Sequence, residues 1–214
     1  GSLGARSINE AMVSILKNYK PEDAVQVIWQ CGKGYIEEYK QCEFSVPVKV
    51  LAFIERMDYA YSIADVVVSR AGATSVSELS IIGKPAILVP SPNVSEDHQT
   101  KNALALSSVG AAVLVEDNRL LNDLFPAIEK ILGNSDFAGE LSKEIKDAVV
   151  AACREVASGK FDNQFVVDAI QGGAGTSTNM KAVKASLSQS GTRFTYGTTM
   201  SVVAICLSCR CGDG

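Results

Sequence analysis

Short apolar runs alternate with segments of helical periodicity over roughly the first 133 residues of the chain. The runs are rich in Val, Ile and Leu and nearly continuous, as expected for strands covered by helices on both faces. Strands are predicted at residues 24–29, 48–53, 65–69, 86–89 and 111–115. Helices are predicted at residues 8–18, 33–41, 57–63, 75–82, 98–107 and 120–132. This alternation predicts an α/β fold with a doubly wound parallel sheet.

The alternation stops after Gly133. One further helix is predicted at residues 141–156, and the stretch that follows it no longer resembles a strand–helix unit. From about residue 181 the sequence is rich in Ser, Thr and Cys and shows no clear period, so no fold is predicted there. Three regions are therefore expected: an α/β domain at 1–140, a helical segment at 141–180, and a disordered or out-of-frame tail at 181–214.

Composition narrows the class of protein. With 47% apolar residues, 21% charged residues and a net charge of -4, the chain suits a globular protein and argues against a nucleic-acid partner. No apolar run approaches the roughly 20 residues of a membrane-spanning helix, and no signal peptide is recognised, so a cytoplasmic protein is expected. The six cysteines do not form the pattern of a disulfide framework, and Cys31, Cys42 and Cys153 are predicted to be reduced.

Four loops hold the candidate chemistry, because ligands of open parallel sheets bind at the carboxyl ends of the strands. Their sequences are GSLGA (1–5), QCGKG (30–34), SRAGATSVSE (69–78) and PSPNVSEDHQTKNA (90–103). The small residues of the first loop would let backbone N–H groups approach a diphosphate at a helix N-terminus, although a tight turn without a ligand is equally compatible. Lys33 in the second loop either approaches phosphate or is solvated, and solvation is slightly favoured.

The third and fourth loops are more specific. Glu78 can accept hydrogen bonds from two ribose hydroxyls, while the turn backbone and Thr74 or Ser75 can donate to phosphate. An interaction of Glu78 with the helix dipole is compatible with that role. In the fourth loop, polar side chains can bind sugar hydroxyls, and Asp97 is alternatively a helix cap. These side chains are Asp97, His98, Gln99 and Asn102.

Several of these segments together resemble a known family. GSLGAR, FIERMDYAYSIADVVVSRAGATSVSE and GKPAILVPSPNVSEDHQTKNA are similar to the C-terminal domain of the MurG family of bacterial glycosyltransferases, over about two thirds of the chain. The resemblance implies the Rossmann-like C-terminal half of a GT-B fold at residues 1–140. This half would bind UDP-N-acetylglucosamine, the sugar donor for converting lipid I into lipid II in peptidoglycan synthesis.

The resemblance also implies roles for individual residues. Ser2 would contact the diphosphate, Ile54 would border the uracil, Glu78 would hold the ribose and Gln99 would contact the sugar. The residues around a phosphate would be Ala73, Thr74, Ser75, Val76 and Ser77. No catalytic residue, metal ligand or cofactor is expected in this half. The catalytic base and the lipid I site would belong to an N-terminal domain, which would also mediate any association with the inner face of the membrane.

By this resemblance the chain is a fragment that is inactive alone, and the strand preceding Gly1 is expected to be absent from the centre of the sheet. Residues 145–180 resemble a different family, aspartate ammonia-lyase of the aspartase/fumarase superfamily. That second resemblance would place Thr176 and Ser177 in a substrate loop. We interpret the chain as a fusion that continues out of frame after residue 180, in which the CxxCxC spacing of Cys206, Cys209 and Cys211 is accidental. A lyase fragment and a non-catalytic fusion remain the alternative hypotheses.

Overall fold

The computed structural model describes residues 5–20, 25–92, 97–158 and 202–207. In these ranges, helices and strands alternate along most of the chain. The helices are α1 (Arg6–Asn18), α2 (Ile36–Tyr39), α3 (Met57–Ile63), α4 (Ala73–Ile82), α5 (His98–Ser107), α6 (Leu120–Leu132) and α7 (Ser135–Ala157). The strands are β1 (Val25–Gln30), β2 (Val48–Leu51), β3 (Val66–Arg70), β4 (Ala86–Val89), β5 (Val113–Leu114) and β6 (Val202–Leu207).

The strands form one sheet in the order β2-β1-β6-β3-β4-β5. The pairs β1–β2, β3–β4 and β4–β5 are parallel, which confirms the predicted α/β class with a mostly parallel sheet. β6 is antiparallel to both of its neighbours, β1 and β3. The carboxyl ends of the parallel strands therefore point to a common edge of the sheet, where the second, third and fourth candidate loops begin.

Helices cover both faces of the sheet, and consecutive residues of β3 show this directly. Val66 and Val68 pack in a core with residues of α1, α6 and α7. Val67 packs on the opposite face with residues of α3, α4 and α5. All three valines are fully buried. Side chains of a strand alternate between faces, so burial on both faces explains the continuous apolar runs in the sequence.

The strand β6 was not predicted, because residues 181–214 were expected to form no regular structure. Its sequence, VVAICL, is an apolar run of six residues, and its central residues Val203, Ala204 and Ile205 are buried. It lies between β1 and β3, in the centre of the sheet, where the expected architecture has a gap. A strand there satisfies the backbone groups of both neighbours that would otherwise lack sheet partners.

Several element boundaries also differ from the prediction. α2 spans only residues 36–39, and β5 only 113–114. α7 begins at Ser135, six residues before the predicted start at 141. The carboxamide Oδ1 of Asn134 accepts hydrogen bonds from the backbone N–H groups of Asp136 and Phe137, at 3.1 and 3.0 Å. Asn134 thus caps α7, which explains the early start of the helix.

Candidate functional site

Side-chain hydrogen bonds join several loops at the carboxyl edge of the sheet. The Nδ2 group of Asn9 in α1 donates to the carbonyl of Cys31, which follows β1, at 2.9 Å. The Nδ2 group of Asn102 in α5 donates to the carbonyl of Ala71, which follows β3, at 3.1 Å. Buried Asn9 also accepts a hydrogen bond from Trp29 Nε1 at 3.1 Å. The described parts of the candidate loops are therefore held at one edge by helices that start there.

The turn from β3 into α4 is tight. Gly72 is its last non-helical residue, and its carbonyl accepts the first helical hydrogen bond, from the N–H of Val76 at 3.0 Å. The peptide N–H groups of a helix's first turn point out of its N-terminus and carry partial positive charge. α4 therefore aims a positive helix end at the same edge, as expected for a phosphate site.

The hydroxyl groups of this turn are less available than the sequence suggested. The side chain of Ser75 is buried, and the hydroxyl of Ser77 donates to the carbonyl of Ala73 at 2.9 Å within the helix. Ala73 is exposed, and Thr74 and Val76 are half-buried. The backbone at the start of α4 is thus better placed than the Ser75 side chain to receive an anion.

Glu78 lies in the second turn of α4, where it is half-buried. Its Oε2 accepts a hydrogen bond from the hydroxyl of Tyr61 at 3.2 Å. Burial raises the pKa of the Glu78 carboxyl, and the hydrogen bond from Tyr61 partly opposes that shift. Because the helix dipole acts mainly within the first turn, it does not explain this carboxylate. A held and partly desolvated acceptor is typical of a ligand-binding group.

Ile54 follows β2 and is largely buried. Its backbone N–H donates to Oε1 of Gln30 at 2.7 Å, and Gln30, the last residue of β1, is itself buried. The side chain of Gln30 therefore fixes the backbone of residue 54 at the carboxyl edge. The position of Ile54 is compatible with binding of a base, although its N–H group is already hydrogen-bonded to Gln30 within the protein.

Gln99 lies in the first turn of α5, and its Oε1 accepts a hydrogen bond from the backbone N–H of Ser91 at 2.9 Å. The Nε2 group of the same carboxamide provides hydrogen-bond donors at the same place. Asp97 precedes α5 in the left-handed region, with φ 54°, and makes no side-chain capping hydrogen bond. Capping by the Asp97 carboxylate, the alternative interpretation of that residue, is therefore wrong.

Three polar residues of this edge were not predicted from the sequence. Arg70, the last residue of β3, forms an ion pair with Asp117, and its Nη2 donates to Ser7 Oγ at 2.7 Å. These residues are far apart in the sequence, and although Arg70 lies in the third candidate loop (69–78), no role was predicted for any of the three. The only sequence signal is the position of Arg70, a charged residue at the end of a mostly apolar run.

The structure describes only some of the remaining predicted positions. Ser2 of the first loop, and Thr176 and Ser177 of the lyase-like loop, lie outside the described residues. So do Cys209 and Cys211, while Cys31 and Cys42 are free thiols as predicted. Lys33 is exposed, in agreement with the solvated alternative. Over the ranges that the structure describes, no helix is long and apolar enough to cross a membrane.

The fold, together with the polar groups at the carboxyl edge of its sheet, is that of the C-terminal, Rossmann-like half of a GT-B glycosyltransferase. Residues 1–155 match the model of the glycosyltransferase family 28 C-terminal domain. The chain therefore belongs to this family.

Among its relatives, the enzyme of Cytophaga hutchinsonii named UDP-N-acetylglucosamine--N-acetylmuramyl-(pentapeptide) pyrophosphoryl-undecaprenol N-acetylglucosamine transferase is 53% identical over 145 residues. That alignment covers 68% of this chain and 39% of the relative. The enzyme of the same name from Flavobacterium psychrophilum is 47% identical over 146 residues, covering 68% of this chain and 40% of the relative. The chain thus spans about two fifths of the length of these relatives.

A solved structure supports the same family assignment. The crystal structure of Acinetobacter baumannii MurG resembles this chain with a TM-score of 0.59 and 32% sequence identity, over 74% of this chain and 48% of that one. The family match also extends to residue 155, into the segment that resembles aspartate ammonia-lyase. The family, the relatives and the solved structure are all of glycosyltransferases, and they give the lyase resemblance no support.

Proposed function

We propose that this chain is the donor-binding half of a transferase that moves N-acetylglucosamine from UDP to lipid I. The observation that carries the proposal is the Glu78 carboxylate, held by Tyr61 in the second turn of α4, the helix whose N-terminus faces the carboxyl edge. A carboxylate that can accept from two adjacent hydroxyls suits a ribose, and a helix N-terminus suits a diphosphate. The names of the relatives supply the donor, UDP-N-acetylglucosamine, and the lipid-linked acceptor.

The remaining positions fit the same ligand. Ile54 lies at a backbone position fixed by Gln30, where it would border the uracil. Ala73, Thr74, Ser75, Val76 and Ser77 would surround a phosphate chiefly through the backbone of the turn, and Ser2 would contact the diphosphate. Gln99, oriented by Ser91, would contact the sugar. Each of these roles is a proposal. The roles of Ile54, residues 73–77 and Gln99 are supported by their position at the carboxyl edge, and that of Ser2 by the family resemblance alone.

In the reaction, a base would remove the proton from the acceptor hydroxyl, and that oxygen would displace UDP from the anomeric carbon with inversion. The helix ends of this half would stabilise the negative charge that develops on the departing diphosphate. We propose that the base and the acceptor site come from the part of the relatives that this chain does not match. On this basis the chain alone binds the donor but does not complete the transfer.

Binding of UDP-N-acetylglucosamine to the full chain, measured by calorimetry, tests this function. Glu78→Ala should weaken binding on the order of tenfold to a hundredfold, because it removes the charged acceptor of two hydrogen bonds. Glu144→Ala, which changes an exposed carboxylate on α7, is the matched control and should bind as the wild type does. If the wild-type chain shows no binding, the proposed function is wrong. If Glu78→Ala binds normally, only the ribose assignment fails.

A further inference from the structure

Ser7, Arg70 and Asp117 form a closed hydrogen-bonded network at the carboxyl edge. Arg70 Nη1 donates to Asp117 Oδ1, and its Nη2 donates to Ser7 Oγ at 2.7 Å. Ser7 Oγ in turn donates to Asp117 Oδ1 at 2.7 Å. The serine hydroxyl thus accepts one hydrogen bond and donates another, which satisfies its one proton and orients it uniquely.

The network is well shielded from water. The side chains of Arg70 and Asp117 are only 12% and 19% exposed, so their attraction is screened far less than that of a surface ion pair. Arg70 Nη1 also donates to the carbonyls of Val89 and Pro90 at 3.3 and 3.1 Å. The guanidinium is therefore directed mainly at protein acceptors, which suits a bracing role better than a direct contact with ligand.

The three residues connect the elements that would surround a diphosphate. Ser7 is the second residue of α1, so it lies one turn or less from the loop that precedes that helix. Arg70 comes two residues before Gly72, at which the chain turns into α4. Asp117 opens the short 3₁₀ helix that follows β5. The network consequently ties the N-terminal turn of α1 to the strand end from which α4 starts.

The residues proposed to hold the nucleoside are held by hydrogen bonds that do not belong to this network. Glu78 is bonded to Tyr61, and the backbone of Ile54 to Gln30. Neither hydrogen bond includes a member of the network. A disturbance of the network should therefore move the two helix ends while leaving the ribose and base positions in place.

We propose that Ser7, Arg70 and Asp117 are positioning residues that align the N-terminal turns of α1 and α4 on the diphosphate of the donor. This inference rests on the proposed function and deepens it, because it assigns separate supports to the diphosphate and nucleoside parts of one site. When two helix ends donate hydrogen bonds to one anion, the strength of binding depends on the relative position of the two helices. A small displacement of one helix should therefore lower the affinity for the anion without changing the contacts to the rest of the ligand.

The test compares UDP with uridine as ligands of the full chain, by calorimetry. Ser7→Ala and Asp117→Asn should each lower the affinity for UDP on the order of tenfold, the effect of weakening a charge-assisted contact. Uridine affinity should stay within about twofold of the wild-type value, because neither substitution changes the hydrogen bonds that hold Glu78 and Ile54. Ser7→Thr, which keeps a hydroxyl, should restore much of the UDP affinity.

Ser62→Ala is the matched control, because Ser62 also carries a bonded hydroxyl but lies at the C-terminal end of α3. It should change neither affinity. Equal losses for UDP and uridine, or no loss for either, would overturn the positioning role while leaving the proposed function intact. A wild-type chain that binds neither ligand would overturn both. Should Asp117→Asn fail to fold, the Ser7→Ala and Ser7→Thr pair decides the question alone.

Discussion

At the scale of single residues, the sequence predicts which side chains can bind a ligand better than it predicts which side chains hold them in place. Glu78 and Gln99 were predicted as binding residues from their types and loop positions, and both lie at the carboxyl edge with defined hydrogen-bond partners. Their roles in binding are still predictions. Tyr61, Gln30 and Arg70 support the edge from other strands and helices. Such partners are set by tertiary packing and leave no local pattern in the sequence.

The raised pKa of Glu78 leads to a pH-dependence of binding. Below that pKa the carboxyl is protonated and is a poorer acceptor for the ribose hydroxyls, so uridine affinity should be low. As the pH rises through the raised pKa, affinity should increase and then become constant. The rise should therefore occur above the ordinary Glu value of 4.5. Uridine is the suitable probe because it carries no phosphate that titrates in acid.

Glu78→Gln provides the control for this pH profile, because the amide is similar in size and does not ionise in this range. Its uridine affinity should be weaker than that of the wild type at neutral pH and nearly independent of pH. A wild-type profile as flat as that of the Gln variant would show that the Glu78 carboxyl does not contact the nucleoside.

At the scale of elements, apolar periodicity located most helices and strands, while their ends depended on local polar contacts. α3, α5, α6 and β4 have the predicted bounds. The predicted start of α7 was Leu141, where its amphipathic pattern becomes clear. The helix starts earlier because the side chain of Asn134 caps it. A capping residue one turn or more before the first buried position is easily overlooked in a sequence.

The cap of α7 can be tested directly. Asn134→Ala should lower the free energy of unfolding by about 1 kcal/mol, because two backbone N–H groups lose their side-chain acceptor. Asn134→Asp keeps an acceptor at the same place and should retain most of the stability. Urea unfolding followed by circular dichroism measures both variants. Equal stabilities for Asn134→Ala and the wild type would mean that α7 is not anchored by this contact.

At the scale of the whole molecule, the parallel α/β architecture follows from the apolar runs, but the centre of the sheet does not. Predicting a strand at residues 202–207 requires knowing that a place is open between β1 and β3. The run VVAICL has the composition of a buried strand, yet 44 residues separate it from the end of α7 and it lies outside the strand–helix repeat. Long-range pairing of this kind has no local signal.

The sheet's order gives β6 a large role in stability. β1 and β3 are each hydrogen-bonded to β6 and not to one another, so β6 joins the β2–β1 pair to the β3–β4–β5 group. Ile205 lies in that strand, is 1% exposed, and packs in the core shared with α1, α6 and α7. A cavity at Ile205 would therefore weaken the packing of both halves at once.

Ile205→Ala should lower the free energy of unfolding by about 2–5 kcal/mol, the usual cost of truncating a buried Ile. Leu121→Ala, which shortens a side chain that is 70% exposed on α6, is the control and should change stability by about 0.5 kcal/mol or less. Urea unfolding of the full chain compares the two. If both substitutions have the same small effect, residue 205 is not part of the core and the two halves of the sheet must be joined in another way. If only Ile205→Ala is costly, the chain completes its own sheet with a strand from outside the repeating α/β pattern.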